Sequence, residues 1–249
     1  MKQVVVITGV AGGIGGATAR IFSEAGWHVI GVDIIESKNL TNIDHFICGD
    51  IADSLASKKI FEKISAEVTC INALINNAAI QICKPLIDTT PDEWDNVMAS
   101  NVRSVYLTTR NAYPLMKSQG GSVVNISSVH ALATSMNMAA YAASKGALIS
   151  LTRAMAVEFA HDNICVNAIL PGAVDTSMLR AGLNRGNLES GDIQNSLDEL
   201  SHKTVIGRIG KPEEIAHAIL FLADQSKSSF ITGQMLIVDG GAVAKLSTE

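Results

Sequence analysis

An apolar run that leads into a glycine-rich turn, near the start of the chain, constrains the fold more than any other feature. Residues 3–8 are almost wholly apolar and rich in valine, which is typical of a parallel strand buried on both faces of a sheet. Gly9, Gly13 and Gly15 follow, and a helical pattern covers about 15–25. Glycines let the backbone turn tightly and approach a phosphate, which the helix amino terminus stabilises. The sequence therefore predicts a strand-turn-helix unit that binds a phosphate group.

The alternation of short apolar runs and helical patterns continues along the chain. It predicts an α/β fold, a doubly wound parallel sheet of about seven strands with helices on both faces. The predicted strands are 3–8, 27–32, 45–49, 70–76, 122–126, 164–170 and 234–239. The predicted helices are 15–25, 54–67, 91–116, 140–160 and 212–223. Residues 177–208 are irregular, polar and rich in glycine, which is typical of a mobile lid over a substrate.

Composition narrows the function classes. The 249 residues are 47% hydrophobic and contain no linker or repeat, so we expect one domain over 1–249. The net charge of -5, without clustered Lys and Arg, argues against a nucleic-acid surface. The four cysteines lack metal-site spacing and are expected to be reduced and mostly buried. The first strand leaves no room for a signal peptide, and no apolar run could span a bilayer, so we expect a cytoplasmic protein with no membrane partner.

The segment Tyr141-Ala142-Ala143-Ser144-Lys145 lies in an apolar helical pattern. A spacing of four places the tyrosine hydroxyl and the lysine ammonium on one helix face. A fixed positive charge nearby favours the phenolate, so we expect Lys145 to lower the pKa of Tyr141 and make it a general acid/base. The pair alone is weak evidence, because such pairs occur by chance on many exposed helix faces.

Further motifs accompany this pair in order along the chain. They are Thr8-Gly9-Val10-Ala11-Gly12-Gly13-Ile14-Gly15, Asn76-Asn77-Ala78, Asn101, Ser128, Pro171-Gly172 and Thr176. Together they resemble the short-chain dehydrogenase/reductase family, and the resemblance extends to Asp239-Gly240-Gly241. It implies a single-domain Rossmann-type fold, a homotetramer and reversible hydride transfer between NAD and a secondary alcohol or ketone. The catalytic residues that it implies are Asn101, which supports a water relay, Ser128, Tyr141 and Lys145.

The expected cofactor is NAD. Asp33 ends the second predicted strand, where a carboxylate can bind ribose hydroxyls and repel a 2′-phosphate. Lys38 is the one nearby basic residue that weakens this preference. An NADPH-dependent ketone reductase is the alternative. The expected cofactor-binding residues are Gly9, Gly13, Ile14, Gly15, Asp33, Asp50, Ile51, Asn77, Tyr141, Lys145, Val174 and Thr176.

The substrate pocket is expected to contain Gln81 and His130 beside Ser128 and Tyr141. Gln81 and His130 resemble the 3-hydroxybutyrate dehydrogenase branch, where such residues hold a carboxylate. That branch carries a lysine at the position of Met138, and His130 can equally be a packing histidine. A neutral polyol, sugar or cyclic diol is thus at least as compatible as a hydroxy acid. A catalytically silent NAD-binding sensor on the same fold is the alternative from another class.

Overall fold

A computed structural model describes residues 2–36, 41–185 and 193–245. Seven parallel strands form one sheet in the order β3-β2-β1-β4-β5-β6-β7, which confirms the predicted sheet. The strands are β1 Val4–Thr8, β2 His28–Asp33, β3 His45–Cys48, β4 Ala73–Asn76, β5 Gly121–Ile126, β6 Ile164–Pro171 and β7 Met235–Val238. The order reverses between β1 and β4, and ligands bind at such a switch point in open α/β sheets.

Helices cover both faces of the sheet. They are α1 Gly13–Glu24, α2 Ser54–Glu67, α3 Pro91–Met98, α4 Ser104–Met116, α5 Ala139–Phe159, α6 Ser177–Arg185, α7 Ile193–Lys203, α8 Pro212–Ala223 and α9 Gln225–Ser228. A π-helical turn, Ala99–Arg103, joins α3 to α4, so the long helix predicted over 91–116 is one helix with a widened turn inside it.

Successive side chains of β1 point alternately into two core layers, one on each face of the sheet. Val4 and Val6 pack in the cluster that also holds Leu148 of α5, whereas Val5 and Ile7 face the cluster under α1 and α8. Because successive side chains of a strand point to opposite faces, an apolar strand such as β1 supports both layers.

Two expectations need correction. Residues 177–208 were expected to be irregular, but the structure places α6 and α7 there, while 186–192 lie outside the described residues. Both helices are polar on average, which makes their sequence resemble that of a loop.

The cysteines were expected to be mostly buried. None of the four forms a disulfide, but only Cys165 is buried, because the others lie at strand ends or in loops.

Within the part of the chain that the structure describes, no helix is both long enough and apolar enough to cross a membrane.

Candidate active site

Helix α5 carries Tyr141 and Lys145 to the carboxyl end of β5. Both side chains are buried, at 8% and 2% relative exposure. The Lys145 Nζ lies 5.5 Å from the centroid of the Tyr141 ring and donates a 2.7 Å hydrogen bond to the Ile126 carbonyl at the end of β5. The predicted pair is therefore brought together at the sheet edge where ligands bind in this class of fold.

The pKa of Tyr141 is raised in the structure, whereas Lys145 was expected to lower it. Burial raises the pKa of the phenol to about 12, and a hydrogen bond with the Ser128 side chain opposes that rise. Burial also lowers the pKa of Lys145 to about 7. Desolvation disfavours the charged form of each group, and it is the largest cause of both pKa shifts. A polar environment that rehydrates or pairs the lysine is needed before it can acidify the phenol.

Ser127 and Ser128, which follow β5, have different hydrogen-bond partners. The Ser127 hydroxyl donates a 2.8 Å hydrogen bond to the Lys145 carbonyl and so fastens β5 to α5. Ser128, at 7% exposure, bonds with the Tyr141 side chain and accepts a 3.2 Å bond from the His130 amide. The serine next to the phenol is thus Ser128, which agrees with its choice from the sequence.

Asn101 lies in the π-helical turn and is buried at 1% exposure. Its side chain accepts a 2.8 Å bond from the Ile80 amide and donates bonds of 2.8 Å to the Ile80 carbonyl and 3.0 Å to the Ser144 hydroxyl. These contacts tie α3, the loop after β4 and α5 together beside Tyr141. Asn101 thus lies in an irregular stretch of helix, and its side chain braces the site.

The glycine turn has little space for side chains. Gly9 has a φ of +71°, and an added Cβ there would lie 2.8 Å from the Ala78 Cα. A Cβ on Gly15 would lie 2.0 Å from the Gly9 carbonyl oxygen, and one on Gly13 would lie 2.8 Å from the Thr176 Cγ2. No side chain caps the amino terminus of α1, so the turn around Ile14 presents uncapped backbone to an anion.

Asp33 lies beside this turn at the end of β2. One carboxylate oxygen accepts a 2.9 Å bond from the Ala11 amide and the other a 3.0 Å bond from the Ile35 amide. These bonds hold a negative charge at the turn, as a ribose-binding carboxylate requires. Lys38, the nearby basic residue, lies outside the described residues.

The remaining candidate cofactor residues surround the same edge. The Asn77 amide group donates bonds of 2.9 and 3.0 Å to the Thr8 and Gly9 carbonyls, so this side chain braces the glycine turn. Asp50 accepts a 2.8 Å bond from the Ala52 amide, next to the buried Ile51. Val174 is buried, and the hydroxyl of Thr176 accepts a 3.2 Å bond from the Leu179 amide at the start of α6. The glycine turn thus lies between Asp33, which bonds to Ala11, and Thr176, which lies against Gly13.

His130 and Gln81 were expected in the substrate pocket, where they resemble residues that hold a carboxylate. The His130 ring contacts the Tyr141 ring edge-to-face at 5.7 Å, and its Nδ1 lies 2.9 Å from the Thr134 hydroxyl. Burial lowers the pKa of His130, so the ring is neutral at pH 7. The Gln81 amide donates a 3.0 Å bond to the Met178 carbonyl on α6. Neither residue supplies a positive charge.

Sequence reasoning missed Cys83 as a neighbour of the site. The Cys83 Sγ lies 3.5 Å from the Met138 Sδ, and the loops that carry them are joined by a 2.8 Å bond from the Lys84 amide to the Asn137 carbonyl. Cys83 is near enough to Tyr141 to help raise its pKa, and Gly182 of α6 lies against Gln81 and Cys83. The one available signal was Gly182, since a glycine inside a helical segment often has a packing reason.

Comparison with known proteins gives concordant matches. A family model described as enoyl-(acyl carrier protein) reductase matches residues 9–243. The cyclopentanol dehydrogenase of Comamonas sp. is 35% identical over 252 residues, which cover 97% of each chain. The ligand-free aldohexose dehydrogenase of Thermoplasma acidophilum superposes with a TM-score of 0.91 at 34% identity, over 99% of this chain and 96% of that one. The NADP-bound structure of ElxO superposes with a TM-score of 0.86 at 30% identity, over 98% and 100%.

Proposed function

The chain belongs to the short-chain dehydrogenase/reductase family, an oxidoreductase acting on alcohol groups, and from that premise we propose that it is an NAD-preferring dehydrogenase of small, neutral secondary alcohols. The observation that carries the proposal is the convergence of Ser128, Tyr141 and Lys145 at the end of β5, beside the glycine turn. A bound nicotinamide would supply the hydride acceptor. The protein contributes orientation and proton transfer.

The proton is handled by the phenol. The Tyr141 phenolate takes the proton of the substrate hydroxyl in oxidation, and the phenol returns it in reduction, while Ser128 holds the substrate oxygen beside the Tyr141 oxygen. Lys145 would hold the polar groups of a bound ribose with its ammonium, and that pairing would oppose the desolvation that lowers its pKa. Asn101 connects the loop after β4 to α5 through its bonds to Ile80 and Ser144.

Preference for NAD rests on Asp33. Its carboxylate is fixed by two backbone amides at the glycine turn, where a 2′-phosphate would meet like charge. Ala11 and Gly12 at the turn supply no basic group to compensate. The NADP-bound ElxO structure makes NADP the direct alternative, so affinity for the two dinucleotides must be compared on the same preparation.

The pocket favours a neutral substrate over a hydroxy acid. Met138, at 8% exposure, stands where a carboxylate-binding branch carries lysine, and the pKa of the neighbouring His130 is lowered. A buried carboxylate without a cationic partner is costly. The related dehydrogenases whose names specify cyclopentanol and aldohexose are consistent with neutral substrates.

The test is reduction of NAD and NADP by the purified protein with cyclopentanol, cyclic diols, polyols, aldohexoses and 3-hydroxybutyrate. We expect turnover of neutral alcohols with NAD. Tyr141→Phe should lower kcat by on the order of 10³-fold while the Kd of NAD stays within about twofold. Turnover confined to 3-hydroxybutyrate would overturn the neutral substrate class. Tight NAD binding without any turnover would favour a silent sensor.

A further inference from the structure

We propose that Gln81 is a positioning residue that holds helix α6 over the active site, and that Gly182 is required for it to do so. The proposal rests on the proposed dehydrogenase function for its kinetic consequences only. Its structural basis is the bond from the Gln81 amide to the Met178 carbonyl, which joins the loop after β4 to α6.

Helix geometry explains why glycine is needed four residues after Met178. In a helix the Cβ of a residue tilts towards the amino terminus and lies near the carbonyl one turn earlier. The Cβ of any other residue at position 182 would lie 2.3 Å from the Gln81 Nε2. Because that atom is the end of a flexible side chain, it would swing away and the bond to Met178 would be lost.

The composition of α6 supports a specific role for this glycine. Glycine is unfavourable inside a helix relative to alanine, and Gly182 lies within α6, Ser177–Arg185. Its φ is not in the left-handed region, so backbone conformation does not demand it. Contact with Gln81 is the packing reason that the structure offers.

Gly182 also places α6 close to a neighbour of Tyr141. A Cβ at position 182 would lie 3.7 Å from the Cys83 Sγ, which itself contacts the Met138 Sδ. Cys83 is in turn near enough to Tyr141 to affect its pKa. Gln81 therefore acts through α6, and this role differs from the carboxylate contact that its resemblance to the 3-hydroxybutyrate dehydrogenase branch implies.

The experiment is a double-mutant comparison of Gln81→Ala, Gly182→Ala and the combined variant in the full chain. Hydrogen-deuterium exchange of the α6 amides, measured without cofactor, reports on the opening of the helix that the bond to Met178 restrains. We expect Gln81→Ala to speed exchange in α6 about threefold to tenfold, as for loss of one hydrogen bond. Gly182→Ala also gains the higher helix propensity of alanine, so its effect on the bond is read from the double-mutant cycle: Gln81→Ala should speed α6 exchange much less in the Gly182→Ala background than in the unaltered chain. The KM of the best substrate should rise by a similar factor, with kcat changing less.

Gly146→Ala is the matched control, because a Cβ at this glycine inside α5 would meet nothing within 4 Å. It should leave α6 exchange unchanged. Gln81→Glu removes the donor but keeps the size, so it should behave like Gln81→Ala.

Unchanged α6 exchange in Gln81→Ala, or an equal effect of Gln81→Ala in the unaltered and the Gly182→Ala backgrounds, would overturn the proposal. A raised KM in Gln81→Ala alone, with normal α6 exchange, would instead identify Gln81 as a direct substrate contact. If the unaltered protein shows no turnover with any alcohol, the proposed function fails, but the exchange measurement still decides the role of Gln81.

Discussion

The Lys145 ammonium lies over the Tyr141 ring, 5.5 Å from its centroid, and its hydrogen bond goes to the Ile126 carbonyl. This arrangement places the cation where it can serve the phenol, yet burial keeps the pKa of the lysine at about 7 and that of the tyrosine at about 12. Activation of the phenol thus depends on polar partners for Lys145 in the complex.

Lys145 should make stability depend on pH. Its pKa falls from 10.5 in the unfolded chain to about 7 in the folded state, so the unfolded chain binds more protons between these values. The free energy of unfolding should therefore rise with pH from about 7 upwards, by at most about 1.4 kcal/mol per pH unit. Urea unfolding at pH 7, 8 and 9 measures the slope, which Lys145→Met should reduce. Burial also raises the pKa of Cys165, but this residue is present in the unaltered protein and in Lys145→Met, so it does not contribute to the difference between their slopes. An unaltered slope in the variant would refute the assignment.

Asp33→Ala should reduce the preference for NAD over NADP. It removes the charge that accepts bonds from Ala11 and Ile35 and that would repel a 2′-phosphate. Loss of hydrogen bonds to a charged group corresponds to about 2 kcal/mol, or roughly thirtyfold in the ratio of the two Kd values. Calorimetric titration with each dinucleotide measures this ratio. Asp44→Ala, which changes a carboxylate that bonds to the Val29 amide at the start of β2, is the control. If the ratio of the two Kd values were the same in Asp33→Ala and Asp44→Ala, Asp33 would not select the cofactor.

The two serines after β5 should separate stability from catalysis. Ser128→Ala removes the hydroxyl that bonds with Tyr141, and kcat should fall by on the order of 100-fold. Ser127→Ala removes the bond to the Lys145 carbonyl and should cost about 1 kcal/mol of stability with kcat nearly unchanged. Steady-state kinetics and urea unfolding on both variants measure the two effects. A large loss of kcat in Ser127→Ala with normal kcat in Ser128→Ala would contradict the assigned roles.

Gly15→Ala should abolish tight dinucleotide binding. The added Cβ would lie 2.0 Å from the Gly9 carbonyl oxygen and 2.7 Å from the Asn77 Nδ2, so the turn must deform. A penalty of about 3 kcal/mol would weaken the Kd of NAD on the order of 100-fold. Titration by protein fluorescence measures the Kd. Gly146→Ala, a helix glycine with open space around it, should retain the original affinity. Normal binding by Gly15→Ala would argue against a phosphate site at this turn.

Much of the fold followed from local patterns. Valine-rich β1 and the glycine turn after it carry the signature of a buried parallel strand, and the helix predicted over 54–67 begins and ends where α2 does. Spacing also placed Tyr141 and Lys145 on one face of α5, because helical periodicity is a property of the chain itself. These features required no knowledge of distant contacts.

Tertiary structure decided how the site residues are used. Ser127 and Ser128 are adjacent in sequence, but only packing against α5 shows that one bonds to Lys145 and the other to Tyr141. Burial reversed the pKa shift expected for Tyr141, and α6 took up the amide of Gln81. Desolvation and hydrogen-bond partners depend on neighbours far away in sequence, so residue types and spacing determined the candidates while three-dimensional packing determined their roles.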